Sequence, residues 1–216
     1  MAQFASDDFA GTEGTELAAY NSNWTRHTSY TVNSEIAAGR VRTSGTSPSA
    51  YWHSGSPVNA DYSVSADLFF KETNGGLSFT GVLGRLDTAA NTFYHARYGG
   101  GSSDAWILTK SVTGTFTQLG SSAASITDET SHNCKLLMVG TTIELYADGA
   151  TTALISVTDS AITAAGKSGF RTADSTAASD TVGIHIDNFS ADDPPTKLYL
   201  RNTTTNGIGS TYYDML

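Results

Sequence analysis

Tyr62-Ser63-Val64-Ser65-Ala66-Asp67-Leu68-Phe69-Phe70 alternates between apolar and small polar or acidic side chains before ending in two aromatic residues. Successive side chains of a β-strand point to opposite faces, so this stretch predicts a strand with one face in a core and the other toward water. The same period recurs in both directions along the chain. Thr92-Phe93-Tyr94-His95-Ala96-Arg97-Tyr98, Ala105-Trp106-Ile107-Leu108-Thr109-Lys110, Thr142-Ile143-Glu144-Leu145-Tyr146-Ala147 and Val182-Gly183-Ile184-His185-Ile186-Asp187-Asn188-Phe189 all fit it. Asp148-Gly149 follows one of these strands and predicts a hairpin turn, because that pair accepts positive φ, with residues 154–158 as the returning strand. Asn74-Gly75-Gly76 and Gly99-Gly100-Gly101 read as turns, and residues 159–163 supply at most one helical turn. Short strands at this spacing predict an all-β, two-sheet antiparallel sandwich over residues 1–193.

Composition agrees. Only 15% of the 216 residues are charged and 21 are glycine, leaving little material for long amphipathic helices. A chain of this length buries roughly 70% of its unfolded surface, enough for a core without covalent staples. Cys134 is the only cysteine, so no internal disulfide forms, and its strand-like surroundings predict a buried, inert thiol. The net charge of −9 and the absence of any Lys/Arg cluster argue against nucleic-acid binding. No apolar run reaches the length of a membrane span, and the first residues lack the basic and apolar regions of an export signal. Asp192-Asp193-Pro194-Pro195 closes the sandwich, and residues 194–216 read as a linker followed by an arm or by the start of a further, truncated domain.

Three ordered motifs resemble the concanavalin A-like lectin and glucanase jelly rolls, particularly the bacterial β-glucanases. They are Ser6-Asp7-Asp8-Phe9 followed by Asn23-Trp24, then Ala38-Gly39-Arg40-Val41-Arg42, and then Glu144-Leu145-Tyr146-Ala147-Asp148-Gly149 leading through Gly166-Lys167-Ser168-Gly169-Phe170 to Ile186-Asp187-Asn188-Phe189. The resemblance implies a jelly roll and a structural calcium. By motif, its ligands would be backbone carbonyls at Asp8 and Gly39 and the carboxylate of Asp187, oxygen donors of the kind calcium prefers.

The resemblance does not extend to catalysis. The glucanases carry their acids as Glu-x-Asp-x-Glu on one strand, and retaining glycosidases need two carboxylates about 5–5.5 Å apart. Where the corresponding strands are expected, Gly81-Val82-Leu83-Gly84-Arg85-Leu86-Asp87 and residues 92–98 hold one acid, Asp87. The five histidines show no metal-ligand spacing, and the expectation is a protein that is not an enzyme. Sugar-binding surfaces combine aromatic faces with a few polar groups, and Phe93, His95 and Arg97 alternate onto one face. The expected glycan groove is built from His95 and Arg97 together with Arg85 and Trp106.

Two functional readings follow. One is a virion structural protein, a phage capsid decoration or tail-associated adhesin, made in the host cytoplasm without an export signal. Its partners would be other virion proteins and cell-surface glycans, and it would assemble as a homo-oligomer. Residues 196–207 and 212–216 resemble a segment of uncharacterised phage structural proteins. The other is a secreted carbohydrate-binding module of a polysaccharide-degrading system. A glycoside hydrolase or lyase with unfamiliar catalytic residues ranks below both.

Overall fold

The computed structural model describes residues 2–71, 78–100, 104–126, 129–174 and 183–194. Two antiparallel sheets account for nearly all of it. One contains β1 (Gln3–Asp7), β3 (Ser34–Ala37), β4 (Arg40–Thr43), β6 (Tyr62–Lys71), β11 (Ser131–Val139), β12 (Thr142–Ala147), β13 (Ile155–Thr158) and β15 (Gly183–Asp192). Its order is β13-β12-β11-β6-β15-β4-β3, with β1 also paired to β15. The other contains β2 (Trp24–Arg26), β5 (Ser49–His53), β7 (Ser78–Asp87), β8 (Thr92–Gly100), β9 (Ala105–Val112), β10 (Thr115–Ala123) and β14 (Lys167–Ala173), in the order β10-β9-β8-β7-β14-β5-β2. The chain passes repeatedly between the sheets, which gives the all-β jelly-roll sandwich expected from its alternation.

The core lies between them. Val64, Ala66, Leu68 and Phe70 of β6 face Val82 of β7, Tyr94, Ala96 and Tyr98 of β8, and Leu108 of β9, all buried in one cluster. At one end Trp24 gathers four rings: Phe9, His53, Phe170 and Phe189, at centroid distances of 5.8, 5.1, 5.2 and 4.9 Å. Its indole N–H donates to Asp7 Oδ2 at 2.7 Å, so the buried ring keeps its polar atom bonded. Cys134 lies fully buried on β11, and burial pushes its thiol pKa up to about 12, consistent with an inert side chain.

The structure refines the expected local elements. Residues 159–163 form no helix; the one helix among the described residues is α1 (Leu17–Tyr20), capped by the Glu16 carboxylate, which accepts from Ala19 N at 3.2 Å. Gly99 and Gly100 continue β8 and are no turn, because pairing with β9 carries the ladder through Gly99↔Ala105. The hairpin expected at Asp148-Gly149 does form: both residues take left-handed φ, of 52° and 70°, and β12 pairs antiparallel with the returning β13 from Leu145↔Ile155 outward. Asn74-Gly75-Gly76 and residues 195–216 lie outside the described residues.

Arg85 ties the loops at one end. A break in the β7–β8 register between Gly84 and Asp87, with φ of 49° at Arg85, accompanies a side chain that reaches three loop carbonyls. Its guanidinium donates to Ala60 O, Ile162 O and Gly140 O at 2.9, 2.8 and 2.9 Å, from three separate connections, and only 1% of the residue is exposed. Removing the guanidinium leaves these carbonyls without their donor, and losses of that kind cost about 3–5 kcal/mol. Arg85→Leu is expected to lower the thermal midpoint by well over 5 °C; a calorimetric midpoint equal to wild type would show that the three loops do not depend on it.

Candidate functional site

The outward face of the seven-stranded sheet carries a cluster of aromatic and cationic side chains. Register fixes its layout. Arg97 on β8 pairs with Gly81 on β7, and Gly81 pairs in turn with Arg171 on β14. Two arginines thus flank a residue that has no side chain. A Cβ at Gly81 would stand 2.0 Å from Ala96 O and 2.7 Å from Arg97 Cβ, so only glycine fits the row. The guanidinium carbons of Arg97 and Arg171 lie 4.9 and 4.5 Å from the centre of one ring, Phe79.

Arg171 also lies 5.4 Å from the ring centre of Tyr30 and 4.8 Å from that of Phe116. Phe116 belongs to β10, and three strands separate it from β14. Flat strand spacing would hold those two backbones about 19 Å apart. Contact between their side chains shows that the face curls inward, so this is the concave side of the sandwich. Phe116 stays 45% exposed, which leaves ring surface open to a ligand. Tyr30, Leu83 and Phe93 form a small second apolar cluster on the same face, with Trp52 packed against it.

His95 is fully buried within this layer, edge-on to Phe79 and Phe93 at 5.9 and 6.2 Å. Neither ring nitrogen has a well-formed hydrogen bond, and its one weak backbone contact is with Arg171. Burial, and then the charges of Arg171 and Arg97, hold its pKa well below the usual 6.5, so the ring is neutral at pH 7. Burial and the neighbouring Arg171 lower the Arg97 pKa to about 10, and burial lowers that of Arg171. Both stay charged at neutral pH.

Two of the four expected groove residues come together and two do not. His95 and Arg97 share the concave face, as their alternation indicates. Trp106 pairs with Tyr98 and turns into the core, 2% exposed, with its ring 5.3 Å from that of Tyr98. Arg85 is bound to loop carbonyls on the other side of its strand. Sequence reasoning missed Arg171, Phe79, Phe116, Tyr30 and Gly81. Alternation along residues 78–83 and 167–173 would have placed the strand residues among them on one face, but only cross-strand register shows that the two arginines flank Gly81. At the described strand positions this face has no Asp or Glu. Asp87 instead caps a turn, accepting from Ala89 N and Ala90 N at 2.9 and 3.1 Å, and these bonds lower its pKa.

The residues expected to bind calcium meet elsewhere, at a junction on the edge of the eight-stranded sheet. β1 and β4 pair with successive parts of β15, through Asp7↔Phe189 and Ile186↔Val41. One step inward, these registers bring Asp8 and the Gly39-Arg40 turn to either side of Asp187 and Asn188. Ser6, Asp7, Asp8, Asn21, Asn188 and Phe189 line a shallow depression there. Asp7 is engaged by Phe9 N, Tyr20 Oη, Asn21 Nδ2 and Trp24 Nε1 and has little capacity left. Asp187 is half-buried, and its pKa is raised by burial and then by Asp67 and Asp8, while Arg40 acts in the opposite sense. Among the described residues no three His, Cys, Asp or Glu side chains converge. The junction fits a calcium, therefore, only if backbone oxygens join the Asp187 carboxylate.

A depressed histidine pKa has a stability consequence. The unfolded chain binds a proton at His95 near pH 6.5, whereas the folded chain resists it, so stability falls as pH drops below about 6.5. His53, whose pKa burial also lowers, adds to the same limb. Chemical denaturation between pH 7.5 and 5 is expected to show this loss, with a shallower slope in His95→Gln; an unchanged slope in that variant would contradict the assignment.

No sequence profile of a known protein family matches the chain, and no curated protein sequence does. Solved structures do match. The carbohydrate-binding module CBM66 from Bacillus subtilis superposes with a TM-score of 0.63 at 19% identity, covering 79% of this chain and 96% of the module. A GlcNAcα1-4Gal-releasing endo-β-galactosidase from Clostridium perfringens gives 0.60 at 15% identity, over 100% of this chain and 71% of the enzyme. The exoplasmic/lumenal domain of VIP36, in its Ca2+/Man2-bound form, gives 0.58 at 9% identity, over 89% of this chain and 88% of that domain. At such identities the likeness is one of architecture: the chain shares its jelly roll with lectin-like domains, carbohydrate-binding modules and glycosidases.

Proposed function

We propose that the protein is a non-catalytic glycan-binding jelly roll and that the concave face of the seven-stranded sheet is its binding surface. One observation carries this reading: the face presents an open ring, Phe116, beside half-buried guanidinium groups, with no carboxylate at its described strand positions. Rings supply flat apolar area for the C–H faces of a sugar, and guanidinium N–H groups supply directional donors. The same lack of acids favours binding over hydrolysis, which needs a paired acid and base or nucleophile. The fold likeness to the carbohydrate-binding module CBM66 and to the Man2-bound VIP36 domain supports a glycan partner.

The setting we propose is the surface of a virion, as a capsid decoration or tail-associated adhesin that contacts other virion proteins and assembles as a homo-oligomer. The resemblance of residues 196–207 and 212–216 to uncharacterised phage structural proteins supports it. A second reading, a module of a polysaccharide-degrading system, is favoured by the near-complete coverage of CBM66. Neighbouring genes for capsid, portal or tail proteins would favour the virion, and polysaccharide-utilisation genes the module.

Phe116→Ala is expected to weaken binding of the best ligand from a glycan array at least tenfold by calorimetry. The thermal midpoint should change little, because nearly half of the ring already contacts water. An array on which wild type is silent, or unaltered affinity in Phe116→Ala, would overturn the proposed surface.

We also propose that Asp187, with backbone oxygens at Asp8 and Gly39, holds a structural calcium. Hard oxygen donors suit that ion, and it would cross-link the ends of β1, β4 and β15. Saturating calcium is then expected to raise the thermal midpoint of chelator-treated protein, and Asp187→Asn to abolish the increment. Identical melting with calcium and with chelator would remove the ion from the account.

A further inference from the structure

We infer that the sugar bound on this face is acidic, carrying a carboxylate or sulfate group, and that Arg97 and Arg171 together receive that group. The inference rests on the glycan-binding reading and adds to it the charge class of the ligand.

The argument starts from like charges held together. Arg97 and Arg171 flank Gly81, both guanidinium groups stack near Phe79, and each is partly withdrawn from water. Bringing two cations into one low-dielectric layer is unfavourable unless an anion joins them. No anion does so within the described protein. Neither arginine has an ion pair among the described residues, although the chain holds 21 acidic residues and 12 Lys and Arg. The nearby Asp174 is otherwise engaged, accepting from Ser78 Oγ at 3.0 Å and Ile184 N at 3.1 Å. The pair is thus a local positive site on a protein of net charge −9.

The way the guanidinium groups are held also points to a ligand. Arg171 lies among the rings of Phe79, Tyr30 and Phe116 and bonds to Tyr30 through its side chain, and a guanidinium has five N–H donors, so one such bond leaves others for a ligand. The Arg171 Nε–H is buried without a hydrogen-bond partner among the described residues. Planar forks of this kind match the two oxygens of a carboxylate or a pair of sulfate oxygens. Gly81 leaves space between the two side chains, and His95, neutral beside them, adds no competing charge. A neutral sugar would use the donors but leave the charges uncompensated. An acidic one would do both.

Isothermal titration with three defined oligosaccharide sets tests this: a galacturonate oligomer, a sulfated galactose oligomer that contains no uronic acid, and neutral galactose oligomers of matched length. At least one acidic set is expected to bind tenfold or more tightly than the neutral set at low salt, with the advantage shrinking as salt rises. Which acidic set wins distinguishes carboxylate from sulfate. Arg97→Gln should reduce the acidic ligand to the affinity of the neutral one, and Arg97→Lys should restore part of the difference. Thermal melts confirm folding of each variant; Arg97 is the position changed because Arg171, held by three rings, carries more of the packing. Equal or tighter binding of the neutral set would overturn the inference and leave the glycan reading standing. So would equal weakening of acidic and neutral ligands in Arg97→Gln. Failure of all three sets, together with a silent glycan array, would remove both.

Discussion

Strand β7 has to serve two crowded surfaces, and its glycines are how it does so. On the inner side, a Cβ at Gly84 would stand 2.3 Å from Met138 Cε of the opposing sheet, so its absence lets the sheets close around the methionine. On the outer side, Gly81 leaves the gap across which Arg97 and Arg171 approach the same ring. A larger residue at either position would collide, with backbone at Gly81 and with the flexible end of Met138 at Gly84. The central strand therefore sets both the tightness of the core and the shape of the concave face, and the loops braced by Arg85 fix the end of that strand.

Much of this architecture is legible in residue order. Val64, Ala66 and Leu68 against Ser63, Ser65 and Asp67 give inside and outside for β6, and Tyr94, Ala96 and Tyr98 against Phe93, His95 and Arg97 do the same for β8. Alternation has a period of two whatever the partner strand, so it assigns faces with confidence and partners not at all. That is why residue order assigns His95 and Arg97 to one face, while Arg171, more than seventy residues away, is associated with them only through strand register. Arg85 and Trp106 point away from that face for separate reasons. A register break redirects Arg85, and Trp106 sits in a strand so apolar, with Ala105 to Leu108 all buried, that period alone does not decide which way it faces. The proposed calcium junction is legible only through the motifs of a resembling family, because backbone carbonyls carry no side-chain signature.

The electrostatic organisation separates the two sides. The eight-stranded sheet keeps Asp67 and Asp187 opposite one another on its outer face, with Asn133 and Asn188 donating to Asp67 at 3.0 and 2.9 Å. It mixes these acids with Arg40, Arg42 and Lys135, whereas the outer face of the seven-stranded sheet has cations and rings with no acid at its described strand positions. In a protein of net charge −9, this difference is what the proposed acidic ligand would use, since the arginine pair is a local positive site on an otherwise acidic chain. A neutral, buried His95 at the centre completes a layer whose donors are fixed before any ligand arrives.

The most direct test of the concave face as the binding surface is residue-resolved. Backbone amide shifts recorded by NMR during titration with the tightest-binding oligosaccharide should change first along Phe79 to Gly81, His95 to Gly99 and around Arg171, with Phe116 following them, and should stay constant at Asp67, Lys135 and Tyr146 on the other sheet. Perturbations centred on the eight-stranded sheet or on the Asp8–Asp187 junction, with those four segments unmoved, would contradict the account.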